Sequence, residues 1–470
     1  MKNRRDFLKT SFLGGSLAFF GLDKLSAAPQ PSHSAESFSI DTIPSRKGKS
    51  VLGLRCAPIP IVRVGVVGLG RGGGAVNRMS QIEGAEIVAI CDINKERVAN
   101  TQANLKKNNR KEAVAYTGEE DWRKMCERED IDLIYNATPW NLHVPIALYA
   151  MDHGKHVAIE VPAALTVKDC WALVDKAEEK QLHCMMLENC CYDFFELATL
   201  NMARQGVFGE LLHGEGAYIH NLAQGKFQGN YKQQWRLDYS KNHSGNPYPT
   251  HGLGPIAQIM GINQGDRMMH LSSVSTNQVG LHQWAKENFK NDERITLSER
   301  YALGDMNTTI IQTAKRRNIM IQHDTTSPRP YSRIHLIQGS RGLAVKYPVE
   351  QIALQSEDGG HTFLDEDKRK QILDKYEHPL SKYIGEKAKQ IGGHGGMDFI
   401  MDWRLIYCLQ NGYPLDQSVY DAASWSSLVE LTERSVLNKS ASVDIPDFTR
   451  GAWENHPEWP VIDMKDVLHG

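Results

Sequence analysis

Short apolar runs alternate with amphipathic stretches through the first part of the chain, a pattern typical of a parallel sheet covered by helices. Strands are predicted at residues 62–67, 86–91, 131–137, 156–159 and 183–187. Helices are predicted at 119–127 and 144–153, and another begins at Thr166 with Asp169 three residues later, as in a capping box. Residues 61–190 are therefore predicted to form a doubly wound α/β domain.

The pattern changes after residue 191. A helix predicted at 194–204 is followed by longer runs in which apolar and polar residues alternate, at 211–219, 269–276, 308–314, 319–324 and 333–339. This alternation predicts a large, mostly antiparallel sheet with one open face. A late helix is predicted at 397–410. Residues 191–470 are therefore predicted to form an α+β domain that binds the substrate and mediates oligomerisation.

A glycine-rich turn follows the first strand, and the second strand ends at Asp92. Gly68 is predicted to make the tight turn, Gly70 to let the backbone approach a pyrophosphate, and Gly73 to let the helix pack on the strand. The Asp92 carboxylate would accept a hydrogen bond from a ribose hydroxyl, which favours NAD over NADP. This order predicts a Rossmann domain that binds NAD, and the alternative is an ordinary turn without ligand. The other cofactor candidates in the turn are Arg71 and Gly72.

The composition is that of an ordinary globular protein. The chain has 470 residues, 41% of them hydrophobic, and a formal net charge of -2, so neither nucleic acid nor a membrane surface is expected as a partner. No internal stretch is apolar for long enough to span a bilayer. The eight cysteines have no CxxC spacing, and neither they nor the histidines are spaced as metal ligands, so no metal site is predicted.

The N-terminus has the features of a twin-arginine export signal. Arg4 and Arg5 precede a modest apolar segment at 12–22, and small residues follow. Residues 1–28 are therefore predicted to be a signal, and the protein is expected to be periplasmic or extracytoplasmic; the alternative is an arbitrary basic terminus. Whether the signal is cleaved or kept as an anchor stays open. Residues 29–60, rich in Ser and Pro, are predicted to be a linker or an arm.

Several motifs resemble the glucose–fructose oxidoreductase/inositol dehydrogenase superfamily. They are the glycine turn, Thr138-Pro139, a strand that ends in Glu160-x-Pro162, and the open-sheet second domain. In dehydrogenases of that superfamily the strand ends in Glu-Lys-Pro, and the lysine acts at the reacting carbon. Val161 stands at that position here, which counts against an ordinary alcohol dehydrogenase because valine cannot donate a proton.

A narrower resemblance comes from five further motifs. The segments at 160–162, 188–192, 235–236, 245–255 and 393–398 resemble the NAD-dependent α-N-acetylgalactosaminidases, a family of glycoside hydrolases. The resemblance implies that NAD⁺ is catalytic and not consumed. It takes a hydride from C3 of the sugar, the resulting ketone acidifies the C2 proton, and elimination across C1–C2 expels the leaving group. Water then adds at C1, C2 is reprotonated, and the hydride returns to C3. The implied substrates are glycans that end in N-acetylhexosamine.

The resemblance also implies roles for individual residues. Tyr192 is expected to transfer the C2 proton, although a core tyrosine with a structural hydroxyl is the alternative. His251 lies in a Gly- and Pro-rich loop before a predicted helix and is expected to act on the sugar hydroxyls, as the base for oxidation at O3. The expected substrate contacts are Glu160, Arg236, Tyr248 and Tyr331. The expected cofactor contacts beyond the glycine turn are Asp92, Trp140, Asn141, His143, Glu160 and Asn189.

Two other functions remain possible from the sequence. The first is a periplasmic sugar oxidoreductase that holds its nicotinamide tightly, and the second is a sugar-binding protein without activity. The exact sugar and anomer, the identity of the C2 base and the oligomeric state stay open, although the open sheet is compatible with a homodimer.

Overall fold

A computed structural model describes residues 43–227, 235–288 and 301–455. The predicted signal at 1–28 and the first part of the predicted linker lie outside these residues. Among the residues that the structure describes, no helix combines the length and the apolar character needed to cross a bilayer.

The first sheet contains six parallel strands in the order β3-β2-β1-β4-β5-β6. The strands are β1 (Val62–Val67), β2 (Ala85–Cys91), β3 (Val114–Tyr116), β4 (Leu133–Asn136), β5 (His156–Ile159) and β6 (Cys184–Met186). The parallel α/β domain is therefore confirmed. The sequence analysis missed β3, because its three residues are exposed or half-buried and form no apolar run.

Five helices accompany this sheet. They are α1 (Leu69–Met79), α2 (Lys95–Lys107), α3 (Asp121–Cys126), α4 (His143–Asp152) and α5 (Val167–Lys180). Side chains fix where two of them begin: Asn94 accepts hydrogen bonds from the first turn of α2, and the Thr166 hydroxyl accepts one from the Asp169 N–H in α5. Helix α5 buries its apolar stripe, which includes Cys170 and Leu173.

The second sheet has eight strands in the order β13-β12-β11-β7-β10-β9-β8-β14, and only the β7–β10 pair is parallel. Its strands are β7 (Leu211–Ile219), β8 (Met268–Ser275), β9 (Asn307–Thr313), β10 (Asn318–Asp324), β11 (Leu336–Gly339), β12 (Gly342–Val345), β13 (Gln351–Leu354) and β14 (Val443–Asp444). The predicted antiparallel sheet is confirmed. The strand predicted from residue 333 begins only at Leu336, because Ile334 and His335 have φ of 58° and 48°.

The remaining helices are α6 (Phe194–Arg204), α7 (Ala223–Phe227), α8 (Trp235–Asn242), α9 (Thr250–Met260), α10 (Gly280–Asn288), α11 (Gln355–Asp358), α12 (Glu366–Lys375), α13 (Pro379–Ile391), α14 (Met397–Asn411) and α15 (Val419–Leu437). Helices α9 and α15 cover one face of the second sheet. Helix α15 also packs on α5 and β6, and α14 packs on α1 and β1. The C-terminal part of the chain therefore completes the core of the parallel α/β domain.

The described part of the predicted arm is bound to the protein surface. Arg46 pairs with the buried carboxylate of Glu178 and donates a hydrogen bond to the Thr449 carbonyl oxygen, 2.7 Å away. The Val51 N–H donates to the Tyr420 hydroxyl across 3.0 Å. These contacts hold residues 43–56 against α5 and α15.

Candidate active site

The glycine turn between β1 and α1 has the backbone that a phosphate cradle needs. Gly68 has φ of 85°, and a Cβ there would lie 2.5 Å from the Ala137 carbonyl oxygen. Helix α1 begins at the next residue, so the positive end of its dipole lies at this turn and favours an anion there. The residues present therefore fit the pyrophosphate of a dinucleotide.

One predicted glycine role was assigned to the wrong residue. A Cβ on Gly72 would lie 2.8 Å from Val66 Cγ1, whereas a Cβ on Gly73 would meet only Thr101 Oγ1, at 3.6 Å. Gly72 is thus the glycine that lets α1 approach the sheet, and it does not line the cleft. Gly73 lines the cleft instead.

A cleft of about 760 Å³ begins at this turn. It is large enough for a nucleotide cofactor. The predicted residues that line it are Gly68, Gly70, Arg71, Gly73, Asp92, Trp140, His143, Glu160, Arg236 and Tyr248. Asn141 is exposed in the turn at Trp140–Leu142 and, like Asn189, is not part of the lining.

Asp92 is fixed at one end of the cleft by backbone groups. Its two carboxylate oxygens accept hydrogen bonds from the N–H groups of Leu69 and Asn94, each at 2.7 Å. Arg97 Nη1 lies 3.5 Å from the same carboxylate. A carboxylate oxygen has further lone pairs, so Asp92 remains able to accept from a ribose hydroxyl.

The middle of the cleft is held by loops at the carboxyl ends of β4 and β5. Trp140 Nε1 donates to the Val161 carbonyl oxygen across 3.2 Å. The ring nitrogens of His143 lie 2.8 Å and 2.9 Å from the carbonyl oxygens of Pro162 and Thr138. Burial lowers the pKa of His143. His143 thus braces the two loops in addition to lining the cleft.

Asn189 is held by residues behind the cleft. The side-chain N–H of Asn189 donates to Asp398 Oδ1 across 2.5 Å, and Asn189 Oδ1 lies 3.5 Å from Cys190 Sγ. Asp398 also contacts His394 Nδ1 at 2.9 Å, and this hydrogen bond raises the pKa of His394. The cofactor role of Asn189 stays a prediction.

A cluster of aromatic rings closes the other end of the cleft. The Tyr248 ring stacks on Trp140 with centroids 6.1 Å apart, and the Arg236 guanidinium lies 5.4 Å from the Tyr248 centroid. Tyr218, which the sequence analysis missed, packs on Tyr248 at 4.7 Å. His251 contacts both tyrosines, with centroids 4.9 Å and 5.3 Å away. Such a cluster offers apolar faces and polar edges to a sugar.

Tyr331 joins this cluster through a second missed residue, His220. The His220 ring lies 4.8 Å from Tyr218 and 5.2 Å from Tyr331. Burial lowers the pKa of His220 to about 4, so the ring is neutral at physiological pH. Both missed residues could have been found in the sequence. Positions 218 and 220 are two residues apart at the end of the predicted strand 211–219, so their side chains point to the same side of the chain. The structure thus brings Arg236, Tyr248, His251 and Tyr331 together.

Two family models match the chain, one on each side of residue 190. Residues 62–188 match the model described as an oxidoreductase family with an NAD-binding Rossmann fold, and residues 192–455 match the C-terminal domain of glycosyl hydrolase 109. An alpha-N-acetylgalactosaminidase of Bacteroides fragilis is 51% identical over 86% of this chain and 96% of its own length. A family 109 protein of Porphyromonas gingivalis is 49% identical over 86% of this chain and 88% of its own.

This chain belongs to glycosyl hydrolase family 109. It is a glycosidase with an NAD-binding Rossmann domain. Solved structures agree on the fold: a levoglucosan dehydrogenase in complex with NADH and L-sorbose superposes with a TM-score of 0.62, at 18% identity, over 82% of this chain and 99% of that one. An NAD-binding oxidoreductase from Klebsiella pneumoniae has the same TM-score at 14% identity, over 82% and 99% of the two chains.

Tyr192, which is predicted to transfer the C2 proton of the sugar, lies in the core of this family 109 protein. The side chain is fully buried and does not line the cleft. Its hydroxyl donates to Asp416 Oδ2 across 3.2 Å, and Asp416 is in turn paired with Arg404 at 2.9 Å. Burial raises the pKa of Tyr192 well above its ordinary value. Tyr192 is therefore a core residue, which was the alternative left open by its sequence context.

A group of possible metal ligands lies beside His251. Atoms of Glu188, Cys190 and His251 come within 4.8 Å of one another. However, Arg333 Nη1 donates to Cys190 Sγ across 3.2 Å, and burial raises the pKa of the thiol. A guanidinium beside a protonated thiol opposes the binding of a cation. The group is better explained by the hydrogen bonds that its members make.

Proposed function

We propose that this protein removes terminal α-linked N-acetylgalactosamine from glycans, with NAD⁺ as a catalytic cofactor. One observation carries the proposal: a single cleft joins the glycine turn and Asp92 to Arg236 and Tyr248. Val161, buried at the wall of the same cleft, stands where a dehydrogenase lysine would be expected. The 51% identity to the Bacteroides fragilis alpha-N-acetylgalactosaminidase supports the choice of sugar.

When bound, NAD⁺ supplies the redox step by accepting the C3 hydride of the sugar and later returning it. The side chains of the cluster would bind the sugar, orient it and accept its O3 proton. Tyr248 packs on the sugar and donates a hydrogen bond to it, since burial raises the pKa of this phenol and keeps it protonated. Arg236 orients the hydroxyls, and Glu160 contacts a sugar or ribose hydroxyl. His251 takes the O3 proton.

The test is hydrolysis of an aryl α-N-acetylgalactosaminide in heavy water. Deuterium at C2 of the released sugar is the expected result, because elimination and readdition exchange that proton with solvent. Protein stripped of dinucleotide should be inactive and should regain activity with NAD⁺. Release of unlabelled sugar, or full activity without dinucleotide, would disprove the proposal. Net accumulation of NADH with sugar alone would favour a sugar oxidoreductase.

We also propose that the open sheet forms a homodimer. Ile310 on β9 is 47% exposed and pairs with Met320 on β10, so two apolar side chains lie side by side on the outer face of the second sheet. Ile310→Lys would place charges across such an interface. Light scattering should then report a dimer for the parent protein and a monomer for the variant, whereas a parent monomer would refute the proposal.

We further propose that the protein is exported by the twin-arginine route. Arg4 and Arg5 followed by a modest apolar segment support this. In a host with this pathway, the Arg4→Lys, Arg5→Lys double variant should accumulate in the cytoplasm, and unchanged export of that variant would count against the proposal.

A further inference from the structure

The geometry points to Glu188 as the positioning residue of His251. We propose that this buried carboxylate fixes His251 with Nδ1 protonated and Nε2 free to accept the proton of a sugar hydroxyl. The catalytic part of the inference rests on the proposed function, whereas the tautomer of His251 does not.

Glu188 and His251 come from different domains and meet at close range. Glu188 follows β6, at the carboxyl edge of the nucleotide-binding sheet, and His251 lies in the first turn of α9. Glu188 Oε1 lies 2.7 Å from His251 Nδ1, and the same oxygen accepts a hydrogen bond from the Cys190 N–H at 3.1 Å. The Glu188 side chain is fully buried, whereas that of His251 is 12% exposed.

The space for this contact is built into α9. Gly254 lies in α9, three residues after His251, and a Cβ there would lie 2.7 Å from Glu188 Cγ. It would also come within 3.2 Å of Cys191 Sγ. Only glycine at this position leaves room for the Glu188 side chain between α9 and the sheet, so the carboxylate is held firmly against the histidine.

The charge of Glu188 decides the tautomer. Burial by itself would raise the pKa of Glu188, but attraction to His251 and hydrogen bonds from His251 and Cys190 outweigh it, and the pKa lies below its ordinary value. An ionised carboxylate only accepts hydrogen bonds. Nδ1 must therefore carry a proton whatever the charge of the ring, and in the neutral ring the lone pair lies on Nε2.

The other groups around His251 do not compete for this role. The rings of Tyr218 and Tyr248 flank it, and Cys190 Sγ lies within 4.8 Å. Burial raises the pKa of both the Tyr248 phenol and the Cys190 thiol. Nearby His220 is neutral, since burial lowers its pKa to about 4. Glu188 is thus the anion in direct contact with the His251 ring.

The proton balance of the oxidation follows from this arrangement. As the C3 hydride leaves the sugar for NAD⁺, the O3–H bond breaks and its proton goes to His251 Nε2, which gives a ketone and an imidazolium. The imidazolium is then paired with the Glu188 carboxylate. In the final reduction the same proton returns to O3 as the hydride returns to C3. Glu188 itself stays ionised throughout, as an orienting carboxylate does in a catalytic triad.

The first test is Glu188→Gln, which keeps the shape and removes the charge. We expect kcat to fall by about 10²-fold or more, with KM within about threefold and nucleotide still bound. The acid limb of the pH profile should move to lower pH, because the variant lacks the negative charge beside the ring. Glu188→Asp should recover part of kcat, since it keeps the charge on a shorter side chain.

The matched control is Glu433→Gln. Glu433 Oε2 lies 3.1 Å from His243 Nδ1, a second carboxylate–histidine pair eight residues before His251. Neither residue of this pair lines the cleft. This variant should keep the parent pH profile. A parental acid limb in Glu188→Gln, or Glu188→Asp no more active than Glu188→Gln, would overturn the proposal.

A direct readout is independent of activity. In protein with ¹⁵N-labelled histidine, the His251 signals, assigned by their loss in His251→Gln, should report Nδ1 protonated and Nε2 unprotonated at neutral pH. Protonated Nε2 in the neutral ring would refute the inference. If the tautomer is as expected but no deuterium enters C2 during hydrolysis, the proposed function fails and the role of Glu188 in holding His251 stands.

Discussion

The side-chain amide of Asn189 donates a hydrogen bond to Asp398 across 2.5 Å, and this bond joins the turn that follows the last strand of the nucleotide-binding sheet to the start of α14. The same helix holds α1, because Arg78 donates to Asp402 across 2.7 Å and lies 3.5 Å from Asp398. A C-terminal helix therefore supports both α1, which follows the glycine turn, and the turn that carries Asn189 and Glu188.

Asp398→Ala should therefore weaken nucleotide binding although Asp398 does not line the cleft. The variant leaves the Asn189 amide without its buried acceptor, which costs about 1–3 kcal/mol. We expect the Kd for NAD⁺ to rise about tenfold, measured by calorimetry on stripped protein. The control is Glu386→Ala, which breaks the exposed pair with Lys389 on the neighbouring helix and should leave Kd unchanged. Equal affinity in Asp398→Ala and the parent would show that α14 does not support the site.

Tyr192→Phe should keep near-parental turnover. The variant loses a buried hydrogen bond to Asp416 and no contact with the cleft, so we expect a loss in unfolding free energy of about 1 kcal/mol and kcat within about twofold. Tyr248→Phe is the matched comparison, because Tyr248 lines the cleft, and it should lower kcat/KM strongly. If Tyr192→Phe were the more impaired of the two, the assignment of Tyr192 to the core would be wrong.

The position of the Tyr192 side chain shows why some site residues could not be predicted from the sequence. Residues Asn189–Tyr192 form a single turn of 3₁₀ helix, so successive side chains point in different directions. Glu188 contacts His251, Asn189 contacts Asp398, and Tyr192 contacts Asp416. A sequence motif marks this turn as functional without indicating which side chain faces the substrate.

The regular parts of the fold were predictable for a simple reason. The strands at 62–67 and 156–159 are largely buried on both faces and consist mostly of apolar residues, so β1 and β5 have the predicted bounds. Strand β7 likewise has its predicted bounds, and its alternation placed it in the second sheet. By contrast, the contacts that α14 and α15 make with the first sheet join segments more than 200 residues apart, and no local pattern encodes such pairings.

Gly72→Ala and Gly73→Ala should differ sharply in stability. In Gly72→Ala the new methyl would lie 2.8 Å from Val66 Cγ1, so α1 must move away from the sheet, and we expect a loss of about 1–3 kcal/mol. In Gly73→Ala the nearest atom would be 3.6 Å away, and alanine is the better helix former, so stability should be equal or up to about 1 kcal/mol higher. Urea unfolding without nucleotide measures both. Equal destabilisation would contradict the packing role assigned to Gly72.

The acid stability of the protein should depend on Asp193. This carboxylate lies 2.5 Å from Arg333 and 2.6 Å from Lys346. Burial alone would raise the pKa of Asp193, but these two cations outweigh it and lower the pKa from 3.8 to about 2. A lowered pKa stabilises the fold above the ordinary value of the carboxyl group, and that stabilisation is lost as the pH falls from about 4 to 2.

Asp193→Asn should remove the part of the unfolding free energy that depends on the ionisation of Asp193. The difference between the two pKa values corresponds to about 2 kcal/mol. We therefore expect the parent to lose more unfolding free energy than Asp193→Asn between pH 6 and pH 3, measured by urea titration at each pH. Asp374→Asn, at an exposed position of α12, is the control and should follow the parent. Parallel pH curves for the parent and Asp193→Asn would mean that Glu196, 2.5 Å from Arg333, already balances both cations without Asp193.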